Sequence, residues 1–108
     1  MTRYAQVIGI RPERLEVYKQ LHMAVWPAVL AKIHECNMRN YSIFLLDDHT
    51  LYAYFEYVGD DFDGDMAKMA ADPMTQEWWA ICSPMQTPVV EAAPGERWHN
   101  IVEVFHLA

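Results

Sequence analysis

Apolar and polar residues alternate in three parts of the chain. Residues 3–10, RYAQVIGI, have the period of two that is typical of a β-strand. The segments NYSIFLL and LYAYFEYV are separated by the polar residues 47–50 and predict an antiparallel hairpin. A last alternation over residues 99–107 predicts the final strand.

The segments between these strands have helical patterns. Apolar residues recur every three or four positions from Glu13 to about Cys36, which predicts a long amphipathic helix. Pro27 has no amide hydrogen to give to the preceding turn, so a kink or a restart is expected there. The acidic stretch 60–65 is expected to cap a second helical region. Asp72-Pro73 then starts another short helix, which carries Trp78 and Trp79.

The predicted order of elements is β-α-β-β-α-β, which is the ferredoxin-like pattern. This α+β fold places helices on one face of a four-stranded antiparallel sheet. Residues 1–108 are expected to form a single domain. The uncovered face of such a sheet would expose a large apolar patch, which predicts a homodimer through that face. Residues 83–98 are long for a simple connection and are expected to cross to a partner or to close over a pocket.

Composition and charge narrow the classes of function. The chain is 53% apolar and 21% charged, without an apolar run long enough to span a membrane, so a soluble globular protein is expected. The formal charge of −7 repels phosphate backbones, which argues against nucleic-acid binding and favours a small neutral ligand. The N-terminus lacks a signal-peptide pattern, and Cys36 and Cys82 are isolated, so we expect a cytoplasmic protein with free thiols.

The first helical segment carries the best candidate for chemistry. Tyr18, His22 and Trp26 are four residues apart and are expected to share one side of the helix. Taken alone, this spacing is also that of a core stripe with one hydrogen-bonded histidine. Further aromatic residues with polar tips are Tyr41, Tyr52, Tyr54, Trp78 and Trp79. Such rings combine a flat apolar surface with a hydrogen-bond donor, and a sugar needs both.

Two other residues are open to more than one role. Glu56 shares a strand face with tyrosines and is a candidate structural carboxylate, hydroxyl acceptor or general base, in that order. His106 alternates with Val104 and Val102 and receives no assignment. The sequence contains no phosphate-binding glycine loop, dinucleotide fingerprint or zinc motif, so we expect no cofactor and no metal.

Five pieces of sequence together resemble the L-rhamnose mutarotase family. They are Tyr18 with His22, Trp26-Pro27, Asn40-Tyr41, Trp78-Trp79 and the ending EVFHL at residues 103–107. The resemblance spans nearly the whole chain and implies a dimeric ferredoxin-like α/β barrel that interconverts the α and β pyranose anomers of L-rhamnose. His22 matches the family's proton donor. Tyr18, Tyr41, Trp78 and Trp79 match positions that contact the sugar.

In the implied reaction, His22 acts as a general acid on the ring oxygen while a base removes the proton of the anomeric hydroxyl. The base remains open among a tyrosine, Glu56 and water. Residues 23–24, Ala28 and His106 depart from common family residues, which keeps L-fucose open as the substrate. The alternative functions are a small monooxygenase of the same fold and a non-catalytic sugar-binding dimer.

Overall fold

The computed structural model describes residues 1–108 and confirms the predicted order of strands and helices. The strands are β1 (Thr2–Ile10), β2 (Met38–Leu46), β3 (Thr50–Tyr57), β4 (Gln86–Thr87) and β5 (His99–Ile101). The helices are α1 (Leu15–His22), α2 (Pro27–Glu35), α3 (Phe62–Ala71) and α4 (Pro73–Cys82), with short 3-10 turns at Pro12–Arg14 and Ser83–Met85. None of these helices has the length and apolarity that a membrane span needs.

All the strands belong to one antiparallel sheet in the order β2-β3-β1-β4, and β5 also pairs with β1. Two short strands therefore lie along the same edge of β1. β5 falls in the predicted last strand, whereas β4 lies in residues 83–98, which were expected to form a connection. The prediction of a last strand over 99–107 is wrong beyond Ile101. Ile101 lies opposite Ala5, so a strand continued in this register would pass the end of β1 after residue 104 and leave the following residues without a partner.

The long helix predicted from Glu13 to Cys36 is interrupted, as the position of Pro27 indicated. Trp26 has an extended backbone with ψ 132°, which is the conformation favoured before a proline. Pro27 then occupies the first turn of α2, where its missing amide hydrogen costs nothing. The interruption makes His22 the last residue of α1.

The two faces of the sheet have different surroundings. On β3, the side chains of Leu51, Ala53, Phe55 and Tyr57 are buried toward the helices. The alternate residues of β3, which include Glu56, are on the opposite face, because successive strand residues point to opposite sides. We call the side covered by helices the inner face and the other side the outer face.

Aspartate caps fix the starts of α3 and α4. The Asp61 carboxylate accepts a hydrogen bond from the amide of Gly64 at 3.1 Å, which confirms the capping predicted for the acidic stretch. The Asp72 carboxylate accepts from both the amide and the hydroxyl of Thr75, each at 2.9 Å. The Asp72 cap fixes the start of α4, whose Trp78 packs in the core cluster with Ile8 and Leu51.

Candidate active site

His22 is half-buried at the end of α1, and one hydrogen bond determines where its proton lies. Its Nδ1 is 2.8 Å from the carbonyl oxygen of Tyr18. A carbonyl oxygen only accepts, so Nδ1 carries the hydrogen and Nε2 carries the lone pair of the neutral ring. Burial lowers the pKa of His22 below its ordinary value of 6.5, against the opposing effect of the Tyr18 hydrogen bond. At neutral pH the imidazole is therefore neutral, with an accepting Nε2.

Aromatic rings surround this imidazole. The ring of Tyr18 stacks on it with centroids 4.1 Å apart and an interplanar angle of 23°. Trp78 contacts it edge-on at 5.4 Å, and Trp26 contacts Trp78 edge-on at 5.2 Å. The predicted alignment of Tyr18, His22 and Trp26 on one helix is wrong, because Trp26 precedes α2. The shared tryptophan nevertheless brings the three rings into one cluster.

Two phenols lie on the same side of the sheet as His22. Tyr18 is only 4% exposed, and its hydroxyl accepts a hydrogen bond from the side-chain amide of Gln86 at 3.1 Å. Burial raises the pKa of Tyr18, against the opposing effect of the Gln86 hydrogen bond. Burial also raises the pKa of Tyr41, to about 12. Both phenols are therefore neutral at ordinary pH and keep a proton that they can donate.

A cleft of ≈ 130 Å³ opens beside Tyr18 and His22, between α1 and the β2–β3 hairpin. Its lining is mainly apolar: Leu15, Tyr18, Lys19, His22, Ile43, Phe44, Leu45 and Leu51. A larger cavity of ≈ 190 Å³ is lined by outer-face residues such as Arg3, Tyr54 and Glu103, and no histidine lines it. Of these two cavities, the cleft beside α1 is the one lined by a histidine.

Comparison with known proteins shows the family of the chain. The family model of L-rhamnose mutarotase matches residues 3–107. The chain belongs to the L-rhamnose mutarotase family. A curated L-rhamnose mutarotase from Shouchella clausii is 31% identical, with both chains covered completely. An L-fucose mutarotase from Xanthomonas campestris pv. campestris is also 31% identical, over all of this chain and 90% of its own length.

The fold agrees with that of a solved member of the family. A crystal structure of an L-rhamnose mutarotase from Formosa agariphila matches the full length of both chains with a TM-score of 0.78 and 20% identity. The ferredoxin-like α+β class predicted from the sequence is thereby confirmed. Mutarotases are isomerases, so the chain is a member of an isomerase-type enzyme family.

Within this mutarotase fold, Glu56 is separated from His22 by the sheet. Its carboxylate accepts hydrogen bonds from Asn40 and from the Tyr54 hydroxyl, each at 2.8 Å. These two contacts, that of Asn40 first, lower the pKa of Glu56. The structure therefore gives Glu56 the first of its three candidate roles, a satisfied structural carboxylate on the outer face.

Of the remaining candidate residues, Trp78 belongs to the aromatic cluster around His22, whereas Trp79 and His106 lie outside it. Trp78 is buried and contacts His22, whereas Trp79 is 41% exposed and lies outside the group of contacting rings. Consecutive helix residues point about 100° apart, which accounts for the difference. His106 lies in the exposed C-terminal segment.

Sequence reasoning missed Gln86, whose amide contacts the Tyr18 hydroxyl. The strand that carries it, β4, has only two residues, too few for a readable alternation.

Proposed function

We propose that this protein interconverts the α and β pyranose anomers of L-rhamnose, or of a closely related 6-deoxy sugar such as L-fucose. The observation that carries this proposal is the orientation of His22, with Nδ1 bound to the Tyr18 carbonyl and Nε2 left to exchange a proton. Tyr18, Tyr41, Trp78 and Trp79 are proposed as sugar contacts, with Trp79 at the exposed rim. Flat rings with polar tips suit the C–H face and the hydroxyls of a pyranose.

The orientation of His22 supports a mechanism in which one imidazole serves as both base and acid. Neutral Nε2 takes the proton of the anomeric hydroxyl, the bond between the anomeric carbon and the ring oxygen breaks, and its electron pair goes to the ring oxygen. The protonated imidazole returns its proton to that oxygen and leaves the open-chain aldehyde. Rotation about the adjacent carbon–carbon bond and reversal of these steps give the other anomer.

This mechanism replaces the separate base that the family resemblance left open. Glu56 faces away from His22, and Tyr18 and Tyr41 have raised pKa values, so none of these groups is placed and ionised to take the first proton. A single histidine suffices because both exchanging oxygens are bonded to the same carbon. Mutarotation also proceeds in water, so a contribution of about 10²–10⁴-fold from a positioned acid–base group is adequate.

Anomer exchange measured by saturation-transfer NMR tests the proposal, with L-rhamnose and L-fucose as parallel substrates. We expect the wild-type protein to accelerate exchange and His22→Ala to lose about 10²-fold or more of that acceleration. His34→Ala is the matched control, because His34 is an exposed histidine on α2. Exchange no faster than in buffer for either sugar would refute the proposed activity, and unchanged activity in His22→Ala would refute the role of His22.

We further propose that the working assembly is a homodimer through the outer face. Phe44 and Ile101 on this face are 61% and 41% exposed, and four apolar residues of the C-terminal segment are more than three-quarters exposed. Those four are Val102, Val104, Phe105 and Leu107. A second copy of the chain would remove this apolar surface from water.

We also propose a cytoplasmic location. Cys36 and Cys82 are both buried free thiols. Proteins with unpaired thiols are typical of reducing compartments. Fractionation of cells that produce the protein would check this location, and recovery outside the cytoplasm would contradict it.

A further inference from the structure

A chain of hydrogen bonds links the surface of the protein to the Tyr18 hydroxyl. Arg97 donates from Nη2 to the carbonyl oxygen of Ser83 at 2.8 Å, and the same nitrogen is 3.5 Å from Oε1 of Gln86. Gln86 in turn donates from Nε2 to the hydroxyl of Tyr18 at 3.1 Å. Gln86 reaches the phenol because it pairs with Ile10 on the inner face of the sheet.

The position of Arg97 favours one orientation of the Gln86 amide. A guanidinium group only donates hydrogen bonds, so the amide oxygen of Gln86 faces it and the amide nitrogen faces Tyr18. If the amide were reversed, its N–H groups would face the N–H groups of Arg97, and the contact between Gln86 and Arg97 would be lost. The contact with Ser83, at the end of α4, anchors the guanidinium in this position.

The orientation of Gln86 determines what Tyr18 can do. A phenol has one proton to donate. Because its oxygen accepts from Gln86, the Tyr18 proton is not used in that contact and remains available to a second partner. The Tyr18 ring is stacked on His22, and Tyr18 is one of the residues that line the ≈ 130 Å³ cleft. A sugar bound at His22 would therefore contact the Tyr18 side chain.

We propose that Gln86 is a positioning residue that leaves the Tyr18 hydroxyl free to donate its hydrogen bond to a sugar oxygen. In this proposal, Arg97 sets the direction of the hydrogen bonds that run from Arg97 through Gln86 to Tyr18. This inference rests on the proposed function. It adds a specificity determinant, because a site with a committed donor favours a substrate that presents an accepting oxygen there and disfavours one that lacks it.

Two substitutions of Gln86 separate polarity from packing. Gln86→Met preserves the approximate size of the side chain and removes both hydrogen bonds. Gln86→Glu preserves the size and the contact with Arg97, but a carboxylate only accepts, so Tyr18 would donate to the introduced carboxylate in place of the sugar. We expect both variants to lower kcat/KM for anomer exchange by about tenfold or more. Gln76→Met is the matched control, since Gln76 donates to the Ala70 carbonyl at an exposed site.

A double-mutant cycle with Tyr18→Phe shows whether Gln86 acts through Tyr18. We expect Gln86→Met and Gln86→Glu to cost little once the phenol hydroxyl is absent. Equal losses in both backgrounds would overturn the proposal and assign Gln86 a structural role. A Gln86→Glu variant with wild-type activity would overturn the proposed direction of the hydrogen bond from Gln86 to Tyr18. Thermal unfolding and near-ultraviolet circular dichroism confirm that each variant is folded.

A spectroscopic measurement distinguishes failure of this inference from failure of the proposed function. With tyrosine labelled by ¹³C at Cζ, we expect the Tyr18 signal to shift when L-rhamnose is added to the wild type and to respond much less in Gln86→Glu. A shift without catalysis would refute the mutarotase activity and keep the donor role of Tyr18. Absence of any sugar-dependent shift in the wild type would overturn the donor role.

Discussion

The proton carried by His22 Nδ1 links a single hydrogen bond to the pH dependence of the enzyme. If neutral Nε2 takes the first proton, the active form of the free protein is the one with His22 unprotonated. Because burial holds the pKa of His22 below 6.5, kcat/KM should rise as the pH increases and level off, with its midpoint below 6.5. Initial rates of anomer exchange from about pH 5 to about pH 8 measure this profile.

A profile of the opposite sign would have a definite meaning. If kcat/KM falls as the pH increases through the same range, the resting enzyme needs a protonated His22, and another group must take the anomeric proton. Circular dichroism at each pH shows whether the protein remains folded over the range. The His34→Ala variant should reproduce the wild-type profile.

At the residue scale, the sequence indicated which residues share a strand face more reliably than which way that face points. Its period of two correctly placed Tyr52, Tyr54 and Glu56 on one face of β3. The pattern of a single strand does not determine which face the helices cover, since that depends on packing between distant segments. The structure resolves this point and moves Glu56 away from His22. The contact of Tyr18 with His22 is local to α1, whereas the contact of His22 with Trp78 joins segments that are distant in sequence.

At the scale of elements, the cap of α4 supports the site from outside it. Asp72→Ala removes the acceptor for the Thr75 amide and leaves the Thr75 hydroxyl, on a residue only 2% exposed, without this partner. We expect the melting temperature to fall by roughly 5 °C or more, because a lost cap and an unsatisfied buried hydroxyl act together. Differential scanning calorimetry measures the change, and tryptophan near-ultraviolet circular dichroism reports on Trp78.

The matched control for that cap is Asp61→Ala at the start of α3. Asp61 accepts one amide hydrogen bond, from Gly64, in an exposed setting, so its loss should have the smaller effect on the melting temperature. Asp72→Asn retains an accepting oxygen and should restore most of the loss. Equal melting temperatures for Asp72→Ala and the wild type would contradict the idea that this cap holds α4 in place.

Local rules predicted elements well, and long-range pairing limited the prediction. The restart at Pro27 follows from one missing amide hydrogen, and Asp72-Pro73 indicated the start of α4, so both were readable in sequence. The last strand pairs with β1, which lies almost a full chain length away, so its extent is not set by local sequence. Gln86 was missed for the same reason, since only its pairing with Ile10 places it at Tyr18.

At the scale of the whole molecule, the sheet separates the candidate active site from the exposed apolar surface of the outer face. The inner face holds His22 and the phenols, whereas the outer face presents exposed apolar side chains beside an ion pair between Arg3 and Glu103. The Arg3 Nε is 2.8 Å from a Glu103 oxygen, which ties the base of the C-terminal segment to β1. A stable interface of standard size covers about 800 Å² on each partner. The proposed homodimer would cover the exposed apolar side chains of this face.

Substitution of Ile101 by glutamate tests the dimer through this face. Ile101 is 41% exposed on β5, and its charged replacement would be buried in both copies of a two-fold interface. Taking a carboxylate from water without a partner is unfavourable, so we expect Ile101→Glu to shift the mass from dimer toward monomer. Sedimentation equilibrium at several protein concentrations measures the dissociation constants of the wild type and the variant.

Leu30→Glu separates the effect of the face from the effect of an added charge. Leu30 is 53% exposed on α2, on the helical side of the molecule, so this variant should dimerise as the wild type does. A wild-type protein that is monomeric at all concentrations would refute the homodimer. A dimer that Leu30→Glu disrupts and Ile101→Glu leaves intact would place the interface on the helices. Loss of the dimer in Ile101→Glu alone would locate it on the outer face, because only there does removal of apolar surface from water depend on this side chain.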